Sequence, residues 1–124
     1  MKKKILISIQ PKHVQNILCG AKKYEYRKAV AQQEVSSLLI YETTPTMMVV
    51  AEVEVLDIVA ASPADLWNQT KESSGISKEF FDKYFDGRDI AYAYKLGNIK
   101  VFKNPKLLSD YGVKHAPQSF LYIQ

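Results

Sequence analysis

Residues 47–59, with the sequence MMVVAEVEVLDIV, limit the fold of this chain more than any other stretch. From residue 49 to residue 55 every second position is apolar, and two of the positions between them are glutamates. The apolar residues are Val49, Ala51, Val53 and Val55, and the acidic ones are Glu52 and Glu54. Because side chains alternate between the two faces of a β-strand, this pattern predicts one long strand with one apolar face. In a chain of 124 residues, a length typical of one domain, such a strand usually bends around a barrel.

Shorter patterns predict the other elements. Further strands are predicted at residues 3–9, 22–28, 35–41, 88–102 and 120–123. A helix is predicted at residues 11–19. Pro11 suits its first turn, and Gly20 suits the left-handed conformation of the residue that follows its last turn. Ser62 and Ser77 begin two more helices, and the aromatic cluster of the second, residues 80–85, is predicted to pack. The order predicts a single α+β domain over residues 1–124, a mixed and mostly closed sheet with helices on its outside.

One stretch leaves two alternatives open. Residues 88–102, RDIAYAYKLGNIKVF, fit either a long strand or a hairpin kinked at Gly97-Asn98. In both alternatives Asn104-Pro105 is expected to end the strand, since proline cannot donate a ladder hydrogen bond.

Composition narrows the class of protein. The formal net charge of +4 tilts the chain mildly towards anionic partners. The apolar run after the basic start covers only residues 5–7, and no stretch approaches the roughly 18 apolar residues of a membrane span. The single cysteine, Cys19, excludes an internal disulfide and forms no zinc-ligand spacing with His13 and His115. We therefore expect a soluble cytoplasmic protein, and the sequence indicates no metal, no organic cofactor and no membrane partner.

The densest run of functional-looking polar residues is GAKKYEYR at residues 20–27. Arg27 can clamp a phosphate with its planar guanidinium, and Glu25 can accept hydrogen bonds from the exocyclic amine of a base. Lys22 can hold a phosphate or, if desolvated, act as a base or nucleophile. A regular strand would put Lys22 on the opposite face, so a shared site requires Lys22 to lie in the turn or beside a bulge. The alternative interpretation is a solvated structural ion pair between Glu25 and Arg27.

Nearby residues give weaker signals. Gln10 and Lys12, at the start of the first helix, can meet an anion there, although a solvated side chain is the preferred interpretation of Lys12. Four tyrosines are candidate platforms for stacking a base, and at least two of them are expected in the core: Tyr24, Tyr26, Tyr92 and Tyr94. Cys19, His13 and His115 lack partners for a catalytic set, so we expect structural or exposed roles for them.

The motif at residues 20–27, together with Ser8-Ile9-Gln10-Pro11 before it, resembles the signature of the ASCH domain family in the PUA-like superfamily. That signature reads Ser-Ile-x-Pro, a short helix, and then Gly-x-Lys-x-x-Glu-x-Arg. The likeness continues through SPADLWNQT, GISKEFFDKYF, AYAYKLG and APQSF, and it is close to the small stand-alone ASCH proteins of bacteria and archaea. The resemblance implies a PUA-like mixed β-barrel flanked by helices, with a cleft beside the first strand–helix–strand unit. It also implies that the partner is RNA or a nucleotide-like small ligand.

Some members of that family hydrolyse the acyl amide of N4-acetylcytidine, and their motif is Gly-x-Lys-x-x-Thr-x-Arg with a catalytic lysine and threonine. In this chain Lys22 matches the lysine, and Glu25 stands at the threonine position. The candidate catalytic residues are therefore Lys22 and Glu25. The candidate ligand-binding residues are Lys12, Lys22, Glu25 and Arg27.

Three functions follow from these residues. The first is an RNA- or nucleotide-binding module, regulatory in transcription, translation or RNA metabolism. The second is a small amidohydrolase acting on an acylated nucleoside. The third is a protein–protein adaptor, which predicts a large exposed apolar patch away from the motif, for example on the two-helix segment. The sequence leaves the identity of the ligand, any catalysis and the oligomeric state open.

Overall fold

The computed structural model describes residues 2–123, and these form six strands and three helices. The strands are β1 (Lys3–Ile9), β2 (Tyr24–Arg27), β3 (Val35–Glu42), β4 (Met48–Ala61), β5 (Ala91–Lys106) and β6 (Phe120–Ile123). The helices are α1 (Pro11–Leu18), α2 (Pro63–Thr70) and α3 (Lys78–Tyr84). Short 3-10 turns follow α2 at Lys71–Ser73 and β5 at Leu108–Tyr111. The α+β class and the order of the elements are as predicted.

The six strands form one curled sheet in the order β2-β5-β4-β3-β1-β6. β1 runs parallel to β3 and the other neighbouring pairs are antiparallel, so the sheet is mixed. β2 and β1 are four places apart in this order. A flat sheet would separate them by roughly 19 Å. Yet Arg27 in β2 donates a hydrogen bond of 2.9 Å to the backbone oxygen of Ser8 in β1. The sheet therefore curls until its β2 edge approaches β1, which gives the predicted barrel.

The core occupies the inside of this curl. Its buried side chains come from β1, β3, β4 and β5 and include Ile5, Ile7, Leu38, Ile40, Val53 and Tyr94. Helix α1 adds Val14 and Ile17, both fully buried, at the i, i+3 spacing of an amphipathic helix. A second cluster fixes α2 and α3 against the sheet, and it contains Tyr26, Leu66, Phe81, Phe85 and Ala93.

Strand β5 is longer than the sequence predicted. It continues through Asn104 and Pro105 to Lys106 as one strand, so both the hairpin alternative and the expected break were wrong. Among the described residues β2 pairs with β5 only at residues 92–95, which leaves the far half of β5 with β4 as its single neighbour. Pro105 lies between the pairs Val101–Ala51 and Lys106–Val49, where the register shifts and residues 102–105 have no partner in β4, so its missing N–H interrupts no ladder pair.

A bulge changes the predicted alternation of β4. Ile40 in β3 pairs with Ala51, and the next residue of β3 pairs with Val49, so Val50 is the extra residue. Val49 therefore packs on the other face of the sheet, beside Leu6, instead of with Ala51 and Val53. The periodic pattern could not show this, because a bulge adds one residue without changing residue type.

The predicted starts of α2 and α3 are confirmed by their caps, whereas both helices end earlier than predicted, at Thr70 and Tyr84. The Ser62 hydroxyl accepts a hydrogen bond from the Asp65 N–H at 3.3 Å, and the Ser77 hydroxyl accepts one from the Phe80 N–H at 3.1 Å. Gly20 follows α1 with a φ of +86°. The helices contain seven or eight residues each. Over residues 2–123 no helix has the length and apolar character needed to cross a bilayer.

Candidate functional site

The turn between α1 and β2 positions Lys22. Its N–H donates to the Asn16 oxygen at 2.9 Å, and the N–H of Lys23 donates to the Ser73 oxygen at 2.9 Å. The Lys22 ammonium reaches the Ser74 backbone oxygen at 3.3 Å. β2 begins only after this turn, so Lys22 does not follow the alternation of the strand. The condition that the sequence set for a shared site is therefore met.

Glu25 lies between two cations. Its Oε2 accepts a hydrogen bond from Arg27 Nε at 3.0 Å, and Arg27 Nη2 forms an ion pair with the same oxygen at 2.9 Å. Its Oε1 lies 3.8 Å from the Lys22 ammonium. We call Lys22, Glu25 and Arg27 the charged trio. Its side chains are only 3, 8 and 16% exposed, respectively, so the ion pair exists but the interpretation of a solvated strand face was wrong.

The charged trio keeps unused hydrogen-bonding capacity. Within residues 2–123, Glu25 Oε1 accepts no hydrogen bond, and Arg27 Nη1 donates none. Neither atom is fully enclosed, because His13 Nδ1 is the one fully buried side-chain nitrogen or oxygen without a partner among the described residues. Glu25 Oε1 and Arg27 Nη1 are therefore the atoms best able to meet a ligand.

Burial changes the acidity of Lys22. Desolvation lowers the pKa of its ammonium below the ordinary value of 10.5, the Glu25 carboxylate opposes this, and the Arg27 charge adds to the lowering. The aromatic ring of Tyr26, 4.8 Å from the ammonium, gives it a further electrostatic partner. Lys22 therefore releases its proton more readily than an exposed lysine does.

The charged trio lines one wall of a hollow of about 290 Å³, which we call the trio pocket. Phe80 and Tyr84 of α3 also line it, and their rings are nearly parallel, at 8°, with centroids 6.5 Å apart. The Lys28 ammonium lies 4.8 Å from the centre of the Tyr84 ring. The pocket thus combines buried charge with exposed aromatic surface, as sites for planar heterocycles do.

His13 also lines the trio pocket, although the sequence analysis gave it no functional role. Its Nδ1 is buried and has no hydrogen-bond partner among the described residues. Burial lowers the pKa of the imidazole from 6.5, and the Lys22 charge lowers it further. His13 is therefore neutral at pH 7 and able to donate and accept one hydrogen bond each.

The other predicted residues are distributed around this pocket. Gln10 lines it, whereas Lys12 lies in a neighbouring hollow. Tyr26 lines it too, with its hydroxyl 2.6 Å from the Thr70 hydroxyl. Tyr94 is fully buried in the core and Tyr26 is 5% exposed, so the expectation that at least two of the four tyrosines are core residues is confirmed.

Phe80 and Tyr84 were predicted to be packing residues, and this was wrong in part. α3 carries two aromatic stripes at i, i+4 spacing. Phe81 and Phe85 face the core and are 1 and 2% exposed, whereas Phe80 is 46% exposed. The signal was present in the sequence, because positions 80, 81, 84 and 85 span about 140° of the helix surface, which leaves Phe80 at one edge of the arc. Within α2 and α3, Phe80 is the one large apolar residue in the exposed class, so the adaptor's predicted patch is not formed there.

The basic N-terminal residues do not join this pocket. Lys2, Lys3 and Lys4 lie around a separate depression with Lys100 and Lys106. Lys4 also pairs with Glu52 at 3.1 Å. In the part of the chain that the structure describes, no three His, Cys, Asp or Glu side chains are grouped to hold a metal ion.

Comparison with known proteins decides the family. The ASCH domain profile matches residues 7–102, well over half of the chain. The chain belongs to the ASCH domain family. The crystal structure of ASCH from Zymomonas mobilis superposes with a TM-score of 0.89 over 98% of this chain and 88% of that one, at 24% identity. This confirms the PUA-like α+β fold of the ASCH protein described here.

Two named relatives are similar to this chain over most of its length. The large ribosomal subunit protein uL22 of Ureaplasma parvum serovar 3 is 31% identical over 121 residues, 97% of this ASCH chain. The chain spans only 39% of the length of that ribosomal protein. An ASCH domain-containing ribonuclease of Zymomonas mobilis is 27% identical over 96 residues, which are 77% of this chain and 65% of the ribonuclease.

Proposed function

We propose that this ASCH domain protein binds RNA and holds one nucleotide in the trio pocket. The observation that carries the proposal is the largely buried charged trio, which lines the same hollow as the aromatic rings of Phe80 and Tyr84. Burying charges costs several kcal/mol per ion, and strongly perturbed groups in a cleft are candidates for function. The hollow lies at the lower end of the range for small-ligand sites, about 300 to 1,000 Å³, which fits a nucleoside.

Each member of the pocket has a role in this proposal. Glu25 Oε1 accepts a hydrogen bond from an amino group on the edge of the base, as carboxylates do with cytosine. Arg27 Nη1 donates to a phosphate or to a base oxygen, while its other nitrogens stay on Glu25 and Ser8. Tyr84 supplies the stacking surface within the pocket.

The relatives support RNA as the ligand. One of them is named as a ribonuclease and another as a protein of the large ribosomal subunit. The similarity to the ribosomal protein covers less than half of it, so that name supports the class of ligand and no particular assembly.

The test is binding of fluorescently labelled single-stranded RNA, measured by anisotropy at low salt, where phosphate contacts are strongest. Arg27→Ala is expected to weaken binding by at least about tenfold, because a hydrogen bond from a charged group contributes about 1.5 to 3 kcal/mol. Arg88→Ala is the matched control, because Arg88 is exposed and does not line the pocket. Arg27→Lys keeps the charge and shows whether the planar fork is needed. Equal binding by Arg27→Ala and Arg88→Ala, with both proteins folded by circular dichroism, would remove the proposal.

A second candidate function is hydrolysis of an acylated nucleoside such as N4-acetylcytidine. The lowered pKa of Lys22 favours it, since a neutral amine can take a proton from water that attacks the acyl carbonyl, releasing acetate and cytidine. Incubation with N4-acetylcytidine, followed by chromatography, is expected to show cytidine with the wild type and with Lys23→Met but not with Lys22→Met. No cytidine from the wild type excludes this candidate, and full activity of Glu25→Gln excludes an acid or base role for Glu25.

A further inference from the structure

A second hollow, of about 390 Å³, adjoins the trio pocket. The two share three lining residues, His13, Ile76 and Phe80, so these side chains are all that divides them. We call the second one the flanking hollow, and its remaining lining residues are Lys12, Gly75 and Ser77. Together the two hollows form one groove between α1 and the start of α3.

Phe80 stands on the division between the two hollows. Its ring is 46% exposed, and the His13 ring lies 5.3 Å from it at an angle of 59°. Covering a half-exposed aromatic ring with a flat apolar surface is favourable, because it removes apolar area from water. Base-on-aromatic stacking does this without selecting a sequence, because every base has a π-face.

The flanking hollow differs from the trio pocket in charge. None of the described residues that line it is acidic, whereas the trio pocket contains Glu25. Lys12 is exposed at its edge, and the Ser77 hydroxyl, which accepts the Phe80 N–H, keeps its own proton to donate. A single cation with a hydroxyl donor and no carboxylate suits a phosphate group.

We propose that the flanking hollow is a second nucleotide subsite, so that the ligand of this protein is single-stranded RNA of at least two consecutive nucleotides. One nucleotide occupies the trio pocket, the neighbouring base stacks on Phe80, and Lys12 holds a backbone phosphate. This inference rests on the proposed function of the trio pocket. It gives Lys12 a role that the trio pocket does not offer.

The experiment compares ligand length. Affinities for the four ribonucleoside 5′-monophosphates and for the homotrinucleotides of the same bases are measured by titration calorimetry at low salt. For at least one base, the trinucleotide is expected to bind about tenfold or more tightly than its monophosphate. Phe80→Ala and Lys12→Ala are each expected to remove most of this ratio. Phe80→Tyr and Lys103→Ala, an exposed lysine outside the groove, are expected to keep it.

Three results would overturn the inference, and they are distinguishable from one another. Arg27-dependent binding of monophosphates without any gain for trinucleotides would leave the trio pocket and remove the second subsite. A gain that survives in both Phe80→Ala and Lys12→Ala would place the additional contacts elsewhere on the protein. Absence of binding by any monophosphate or trinucleotide would remove the function of the trio pocket together with the subsite.

Discussion

At the scale of single residues, Glu25 determines the electrostatics of the site. Its carboxylate is the only acidic group in contact with the two cations of the trio among the described residues. Removing it would leave Lys22 and Arg27 buried as like charges. The same carboxylate therefore stabilises the fold and keeps one oxygen for a ligand.

Glu25→Gln is expected to lower the free energy of unfolding by about 3 kcal/mol, because it leaves two buried cations without a counter-charge. Urea unfolding measures this change. Lys78→Ala is the comparison, since Lys78 and Asp82 also form an ion pair, but at 63 and 55% side-chain exposure. That exposed pair contributes about 0.5 kcal/mol at most. Equal effects of the two substitutions would show that the trio is not electrostatically coupled.

Lys22 gives the site a pH dependence with a defined sign. Its pKa is lowered in the folded protein from 10.5, so between the two values the unfolded chain binds more protons. The Lys22 contribution to the free energy of unfolding therefore rises with pH in that window and is constant below it. The free energy of unfolding is measured with urea for wild type and Lys22→Met from pH 7.5 to 10. With increasing pH it is expected to rise more steeply, or to fall less steeply, in wild type than in Lys22→Met. Parallel curves would contradict the lowered pKa.

At the scale of elements, three segments position the trio. The turn before β2 is hydrogen-bonded to α1 on one side and to the residues after α2 on the other. Gly75 covers the Lys22 side chain with a φ of +67°. A Cβ added at Gly75 would lie 2.9 Å from the Cα of Lys22 and nearer still to the Cβ of Lys22. The close approach of these segments therefore depends on glycine at this position.

Gly75→Ala is expected to destabilise the fold and weaken RNA binding, because the added methyl group displaces Lys22. Gly87→Ala is the matched control, since Gly87 has a φ of +76° with open space around it. The control should cost only the backbone strain, about 1 kcal/mol. Overpacking at Gly75 should add a further 1 to 3 kcal/mol or so. Urea unfolding and the anisotropy assay measure both effects, and identical behaviour of the two variants would contradict this account of Lys22.

Much of the element pattern was readable from the sequence, and the exceptions have physical causes. Alternation, proline at helix starts and serine caps predicted β1, α1 and α3 closely. The bulge at Val50 and the strand through Pro105 depend on which neighbours a strand has, which no local pattern states. The sequence identified the three residues of the charged trio but could not show that they contact one another, because tertiary contacts set the conformation of the turn that holds Lys22. Phe80 was misassigned because its residue type alone favours burial.

At the scale of the whole molecule, closure of the sheet brings the site together. Arg27 belongs to the edge strand β2 and Ser8 to β1, and they meet only because the sheet curls. The trio pocket then forms between this junction and α3. The site therefore requires the barrel and the two-helix segment to be folded at the same time.

A single cooperative unfolding transition is expected, as for one domain. Trp67, the one tryptophan of the chain, packs against Phe81 at 5.0 Å between ring centres and reports on the helices. Far-ultraviolet circular dichroism reports on the sheet. The two signals are expected to change at the same urea concentration. Loss of Trp67 fluorescence at a lower concentration than the sheet signal would show that the helices unfold separately.

The most direct test of the nucleotide site is a titration of ¹⁵N-labelled protein with single-stranded RNA, followed by backbone amide NMR. The account predicts that shift changes concentrate at the charged trio, at Phe80 and at Tyr84. Changes confined to Lys2–Lys4 and the nearby Lys100 and Lys106, with the trio unaffected, would contradict it, because RNA would then bind the separate basic depression.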